Sequence, residues 1–210
     1  MVGFEFGTQQ ALDAVKKGTT LEHSRRLAKE ARRLGFTVHG CFMFGAPGET
    51  RESAMKTIEF AKSLHMDTVQ FSGICAYPGS EIYNWSRNND FLVPKTWRQW
   101  LDENWEQVTV LSYPEFNKEE IDRLIDRGLK EFYLKPRQMM RMVQAIQTVD
   151  DLKRKLYGLK MFIEGFLFRR GSACQLKNGI GADMPSSSVQ NRSHVPVNAE
   201  FGSESTVSRR

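Results

Sequence analysis

The run Val38-His39-Gly40-Cys41-Phe42-Met43-Phe44-Gly45-Ala46-Pro47-Gly48-Glu49-Thr50 constrains this chain more than any other stretch. From Val38 to Phe44 it has the length and the aromatic and β-branched content of a strand buried on both faces. Pro47-Gly48 then supplies the fixed φ and the positive φ of a type II turn. Thr50 is a natural N-cap for a following helix. A strand that stops in such a turn leaves backbone amides pointing into a concave loop, a common ligand position in α/β folds.

Strand and helix patterns alternate around this run. Val2 to Phe6 reads as a short strand, and Gln9 to Lys17 as a brief helical stretch closed by Gly18. A helix capped by Thr19 or Thr20 runs to about Leu34, and Gly35 ends it. Arg51 to Leu64 has helical spacing, Thr68 to Ile74 strand spacing, and Ala76-Tyr77-Pro78-Gly79-Ser80 is a turn into a helix ending near Asn88. Short connections between such units require a parallel sheet with right-handed crossovers, so the fold class is α/β. The chain starts on a strand with no lead-in, which is unusual for a complete domain.

Side chains alternate along a strand, so each strand has two faces. Val2, Phe4 and Phe6 share one face and Glu5 looks the other way; Val38, Phe42 and Phe44 oppose His39, Cys41 and Met43; Val69 and Phe71 oppose Gln70 and Ser72. One face is large and apolar, as covering helices require. The other repeatedly carries a polar group, which suits a cavity that receives a ligand; buried polar residues bonded to neighbours are the alternative.

After Phe91 the character changes. Trp97, Trp100 and Trp105 interleave with charge, as in the core of a small subdomain. Asn117 caps a helix with Ile121, Leu124, Ile125, Leu129 and Phe132 on one stripe, and Glu119 with Arg123 and Asp126 with Lys130 are spaced as i,i+4 pairs. Pro136 breaks it, a Met-rich helix follows, and Asp150 or Asp151 caps another in which Leu152, Leu156, Leu159, Ile163 and Phe166 recur. From Gly171 onward the composition is that of a disordered tail. The expected organisation is therefore 1–92, 93–170 as a helical extension, and 171–210.

With 210 residues the chain can bury a real core. No apolar run reaches the ~20 residues of a membrane-spanning helix, and the N-terminus lacks the pattern of a signal peptide. Three scattered cysteines make neither a disulfide framework nor a close-spaced metal site, and suit a reducing cytoplasm. A net charge of +5 with acids and bases interleaved gives no nucleic-acid stripe. Ser-His-Asp order, HExxH and Walker patterns are missing.

Val2-Gly3-Phe4-Glu5-Phe6-Gly7-Thr8-Gln9, Lys16-Lys17-Gly18, His39 to Thr50, and Ala76-Tyr77-Pro78-Gly79-Ser80-Glu81 occur in that order. The series, from Val2 to about Phe166, resembles the C-terminal half of radical S-adenosylmethionine enzymes. It is most like those with an N-terminal cobalamin-binding domain, which include enzymes acting on hopanoids and bacteriochlorophyll precursors. The resemblance implies half of a partial (βα)6 barrel, its fourth to sixth strands. It places Glu5 at the ribose of the nucleoside and Met43, Phe44, Gly45, Ala46 and Pro47 beside adenine. Cys75, Ala76 and Tyr77 would lie at the adenine edge, and the polar face of His39, Gln70 and Ser72 would approach a small-molecule substrate. The bland alternatives are a strand-end carboxylate for Glu5, a satisfied interior histidine for His39 and a small buried hydrophobe for Cys41.

The family's CxxxCxxC motif, which holds a [4Fe-4S] cluster, is missing, as is the second-strand glycine-rich segment. Cys41 and Cys75, on separate strands, do not replace that compact loop. The expectation is a chain that binds the adenosine part of S-adenosylmethionine without completing the family's radical chemistry alone: a truncated copy, a partial reading frame or one half of a split protein. A complementary half would pair with its open strand edge, and the chain alone would be poorly soluble. Cobalamin enters only through the resemblance. A different reading is a non-catalytic interaction module. Met161 to Phe168 is apolar and ends in Arg169-Arg170, behind Lys153, Arg154, Lys155 and Lys160, a composition that suits a partner helix or a membrane surface.

Overall fold

The computed structural model describes residues 1–168 except Asn104, Ala145 and Gln147, and describes the backbone but not the side chains of Arg154 and 161–168. The tail expected from residue 171, with Cys174, lies outside the described residues. What is described divides into two compact units, Met1–Tyr133 and a pair of helices from Leu134 onward.

The first unit is built on three parallel strands, β1 (Val2–Glu5), β2 (His39–Phe44) and β3 (Thr68–Gly73), in the order β1-β2-β3. Two helices, α1 (Gln9–Ala14) and α2 (Leu21–Arg33), connect β1 to β2; α3 (Arg51–Ser63) connects β2 to β3, and α4 (Glu81–Asn88) follows β3. Each start has the chemistry the sequence announces: Thr8, Thr20, Thr50 and Ser80 accept from backbone amides of their first turns. The turn into α3 is of type II, with Gly48 at φ 74° and Glu49 N–H donating to the Ala46 carbonyl at 2.9 Å.

The two sheet faces separate as the alternation predicts. Along β2 the pattern is strictly half-buried then buried, and Phe42 and Phe44 are fully covered. Phe4, Phe42, Phe71 and Phe44 form a ladder beneath the helices: Phe4 and Phe42 stack at 5.6 Å between centroids, and Phe44 and Phe71 at 5.5 Å. Each buried phenylalanine contributes about 1.5–3 kcal/mol, with about 0.5–1.5 kcal/mol more per well-placed ring pair. Glu5, His39, Cys41, Met43, Gln70 and Ser72 all lie on the opposite, helix-free face, half-buried or exposed.

Residues 93–133, expected to belong to a helical extension, pack within this unit. A short 3-10 helix (Trp97–Trp100) buries Trp100 against Tyr77 and Tyr83. α5 (Lys118–Tyr133) lies against β3 and α3, with its Gly128 seated on the Phe71 ring. At the outer edge of β3, the Tyr133 hydroxyl accepts from the Val69 amide and donates to the Val69 carbonyl, both at 2.9 Å. That hydroxyl satisfies two edge groups that a neighbouring strand would otherwise serve. On its other side β1 has no strand partner among the described residues.

Two local expectations need correction. Arg123 does not pair with the Glu119 carboxylate but donates to its carbonyl oxygen at 3.2 Å; ion pairs formed by this helix include Lys118–Asp122 and Arg127–Glu131. In the second unit, α6 (Pro136–Gln144) is followed by α7 (Val149–Phe168), which is capped by Thr148 rather than by an aspartate. Thr148 Oγ1 accepts from the Asp151 amide, and the Asp151 carboxylate accepts from the Thr148 amide. Aspartate and threonine cap by the same chemistry, so composition alone did not separate them.

Candidate functional site

A cleft of about 460 Å³ opens where β2 and β3 end. That is the side of a parallel sheet where ligands bind, and the volume falls in the range of small-molecule sites. Met43 and Ser72 reach it from the helix-free face, and Ile74, Cys75 and Tyr77 from the segment leaving β3. Lys16 and Glu81 face each other across its wall, joined at 2.9 Å. Gln107 accepts from the Tyr77 hydroxyl at 3.1 Å, and the Tyr77 ring stacks on Trp100 with centroids 5.9 Å apart. Tyr77 is therefore held at both ends although it is largely exposed.

Met43, Ser72, Cys75 and Tyr77, four of the residues singled out in the sequence, meet at this cleft. The others do not line it. Phe44 and Ala46 are fully buried, their side chains spent on the core. Pro47 and Ala76 are also buried. Gln70 is exposed farther back on the open face, and His39 lies near the strand start with Nδ1 2.8 Å from Thr68 Oγ1.

The loop after β2 departs from its expected role. The Gly45 and Ala46 amides do not point at open space: both donate to Glu49 Oε2, at 2.6 and 3.1 Å. The Tyr113 hydroxyl donates to the Gly45 carbonyl at 2.8 Å. Glu49 is buried and its Oε1 has no partner. Burial pushes its carboxyl up to about 7, against the opposing effect of the two amide bonds. Burial, with the nearby Glu49, also pushes the Tyr113 phenol up. Glu49 thus organises the loop from inside. A glutamate just after Pro-Gly, four residues beyond Gly45, was the available signal.

Glu5 stands at the end of β1, off the cleft lining. Its carboxylate pairs with Lys17 at 2.6 Å, and its backbone adopts φ 66° at an irregularity in the β1–β2 register. Gly3 makes room for this: a Cβ there would lie 2.4 Å from Glu5 Oε1. Lys16 and Lys17, adjacent in sequence, therefore serve two carboxylates, Glu81 and Glu5.

The described residues do not fit an iron–sulfur cluster. Among them no three His, Cys, Asp or Glu side chains converge as metal ligands. The thiols of Cys41 and Cys75 are each pushed up, first by burial, which favours the protonated thiol over the thiolate that binds metal. In the cleft, Val15, Met43, Ile74 and Ile82 supply apolar walls, and Ser72, Ser80 and Gln107 supply polar atoms at the rim.

No family model matches the chain. Over 139 residues it is 31% identical to an uncharacterized methyltransferase of Pyrococcus horikoshii, covering 66% of this chain and 29% of that protein. Over 102 residues it is 26% identical to the bacteriochlorophyllide d C-8(2)-methyltransferase of Chlorobaculum tepidum, 48% of this chain and 23% of that protein. Over 98 residues it is 31% identical to the cytidylyl-2-hydroxyethylphosphonate methyltransferase of Streptomyces wedmorensis, 43% of this chain and 18% of that protein. The chain is thus similar to methyltransferases, and it spans less than a third of the length of each of these relatives.

Proposed function

We propose that Met1–Tyr133 is the nucleoside-binding part of an S-adenosylmethionine-dependent methyltransferase, with adenine in the cleft at the ends of β2 and β3. The observation that carries this reading is the meeting of Met43, Ser72, Cys75 and Tyr77 around a cleft of about 460 Å³ at the ligand-binding side of a parallel sheet. Methyltransferase relatives support it. Two of them are named for different acceptors, which favours the donor over the acceptor as the ligand of the shared segment.

In this reading Met43 and Ile74 pack on the base, and Tyr77 holds the segment that runs along its edge. Glu5 receives the ribose hydroxyls, sharing its carboxylate with Lys17. The open face of His39, Gln70 and Ser72 lies toward the acceptor, for which a lipid or a tetrapyrrole-like molecule is the proposed class. The outer edge of β1 takes a further strand from the part of the protein that completes the barrel. Radical generation and cobalamin remain with the sequence resemblance, and no step of either is assigned to the residues described.

Isothermal titration of the purified chain tests this. S-adenosylhomocysteine and 5′-deoxyadenosine should each saturate a single site that cytidine does not occupy. Ser72→Trp, which fills the cleft from the open face, should weaken both by more than about tenfold. Absence of binding, or binding indifferent to Ser72→Trp, overturns the assignment.

A further inference from the structure

We propose that α6 and α7 form a docking surface for an anionic lipid bilayer. On a helix of 3.6 residues per turn, Val149, Leu152, Leu156 and Leu159 fall on a single stripe of α7. An amphipathic helix of a globular protein normally buries such a stripe. Here the four side chains are 69%, 41%, 55% and 53% exposed. α6 adds Met139, Met140 and Val143, at 52%, 60% and 66%. The two helices are joined within their own unit, where Lys155 Nζ donates to the Met142 carbonyl oxygen at 2.6 Å.

Charge decides what covers this surface. Lys155 borders the leucine stripe on one side, and Lys153 and Lys160 on the other with Glu164 beside them in register, while Asp150, 3.9 Å from Lys153 Nζ, and Asp151 lie away from it. From Leu134 to Phe168 there are seven lysines and arginines against three carboxylates. Stripe-to-stripe pairing of two copies would bring these lysines against one another. A bilayer rich in anionic headgroups accepts the arrangement directly: the leucines enter the acyl boundary, and Lys153 and Lys160 reach outward to phosphate while Lys155 stays on the Met142 carbonyl. Apart from Glu164 and Gly165, the sequence continues apolar and aromatic to Phe168 along the same helix. No helix among the described residues is long and apolar enough to cross a membrane, so the surface lies on the bilayer.

The test is co-sedimentation of the full chain with phosphatidylcholine vesicles, with and without phosphatidylglycerol, at low and high salt. The chain should partition onto phosphatidylglycerol vesicles, weakly or not at all onto pure phosphatidylcholine, and less at high salt. Leu152→Ser with Leu156→Ser should reduce partitioning by about tenfold or more. Lys153→Gln with Lys160→Gln, which leaves the apolar stripe intact, should reduce it by about ten- to thirtyfold. All four positions are exposed, so both variants should keep the parent circular dichroism spectrum, and the lysine pair stands as the test if the leucine pair does not. The proposal is overturned by no binding to phosphatidylglycerol vesicles, by equal binding to neutral ones, or by binding that neither variant pair changes. Self-association or capture by an acidic peptide without vesicle binding overturns it as well.

Discussion

Glu5 holds Lys17 in a 2.6 Å ion pair while its own backbone stands at φ 66°, in the left-handed region that side chains other than glycine seldom occupy. That conformation costs about 1–2 kcal/mol. The partly exposed ion pair returns at most about 1 kcal/mol. Stability alone therefore does not favour glutamate here, and a ligand contact would.

Glu5→Gly separates the two roles. It should leave urea-unfolding stability within about 1 kcal/mol of the parent or above it, because relief of the backbone offsets the lost ion pair. The same variant should weaken adenosine binding by about tenfold or more. Unchanged stability with unchanged binding would remove Glu5 from the site.

Glu49 makes stability depend on pH in the direction opposite to an ion-paired carboxylate. The folded chain keeps its proton up to about pH 7, whereas the ordinary carboxyl loses it near 4.5. Between those values the folded state binds the extra proton, so stability falls as pH rises. The full loss above pH 7 is on the order of 3 kcal/mol. Glu49→Gln stays neutral throughout and keeps an oxygen for the Gly45 and Ala46 amides. Thermal melts should show it more stable than the parent at pH 8 and no more stable at pH 5; parallel profiles for the two proteins would contradict this.

Tyr133→Phe should lower stability by about 2 kcal/mol, because it strands both the amide and the carbonyl of Val69 at the edge of β3. Adenosine affinity should not change, since Tyr133 is not part of the cleft lining. Urea titration and calorimetry on the same preparation check both halves.

Gly7→Ala should be among the most damaging small substitutions. A Cβ at Gly7 would lie 2.4 Å from Thr57 Cα, and the Gly7 amide donates to Thr57 Oγ1 at 2.9 Å. The clash is with helix backbone, which does not move aside as a side-chain tip would, so a loss of about 2–3 kcal/mol is expected. Denaturant midpoints of the two proteins measure it.

The elements were legible because their signals are local. Phe4, Phe42, Phe44 and Phe71 alternate with half-buried or exposed residues along their own strands, and Thr20, Thr50 and Ser80 sit one residue before their helices. Parity along β2 and β3 places Met43 and Ser72 on the open face, whereas Cys75 and Tyr77 were named only by the family resemblance; all four line the cleft. What escaped depends on distant partners. Nothing near Tyr133 announces that its hydroxyl closes the edge of β3, and nothing near Lys16 announces Glu81. Glu49 was in plain view beside the Pro-Gly turn, but its burial comes with the distant Tyr113, which bonds to the Gly45 carbonyl of the same loop, and local pattern does not encode that.

The most direct test of the central claim is methyl NMR of Met43, whose side chain lines the cleft. Titration with 5′-deoxyadenosine should move the Met43 methyl resonance in a saturable way. S-adenosylhomocysteine should compete for the same shift and cytidine should not. A Met43 methyl that stays still, or that moves alike with any nucleoside, would contradict the assignment of this cleft to adenine.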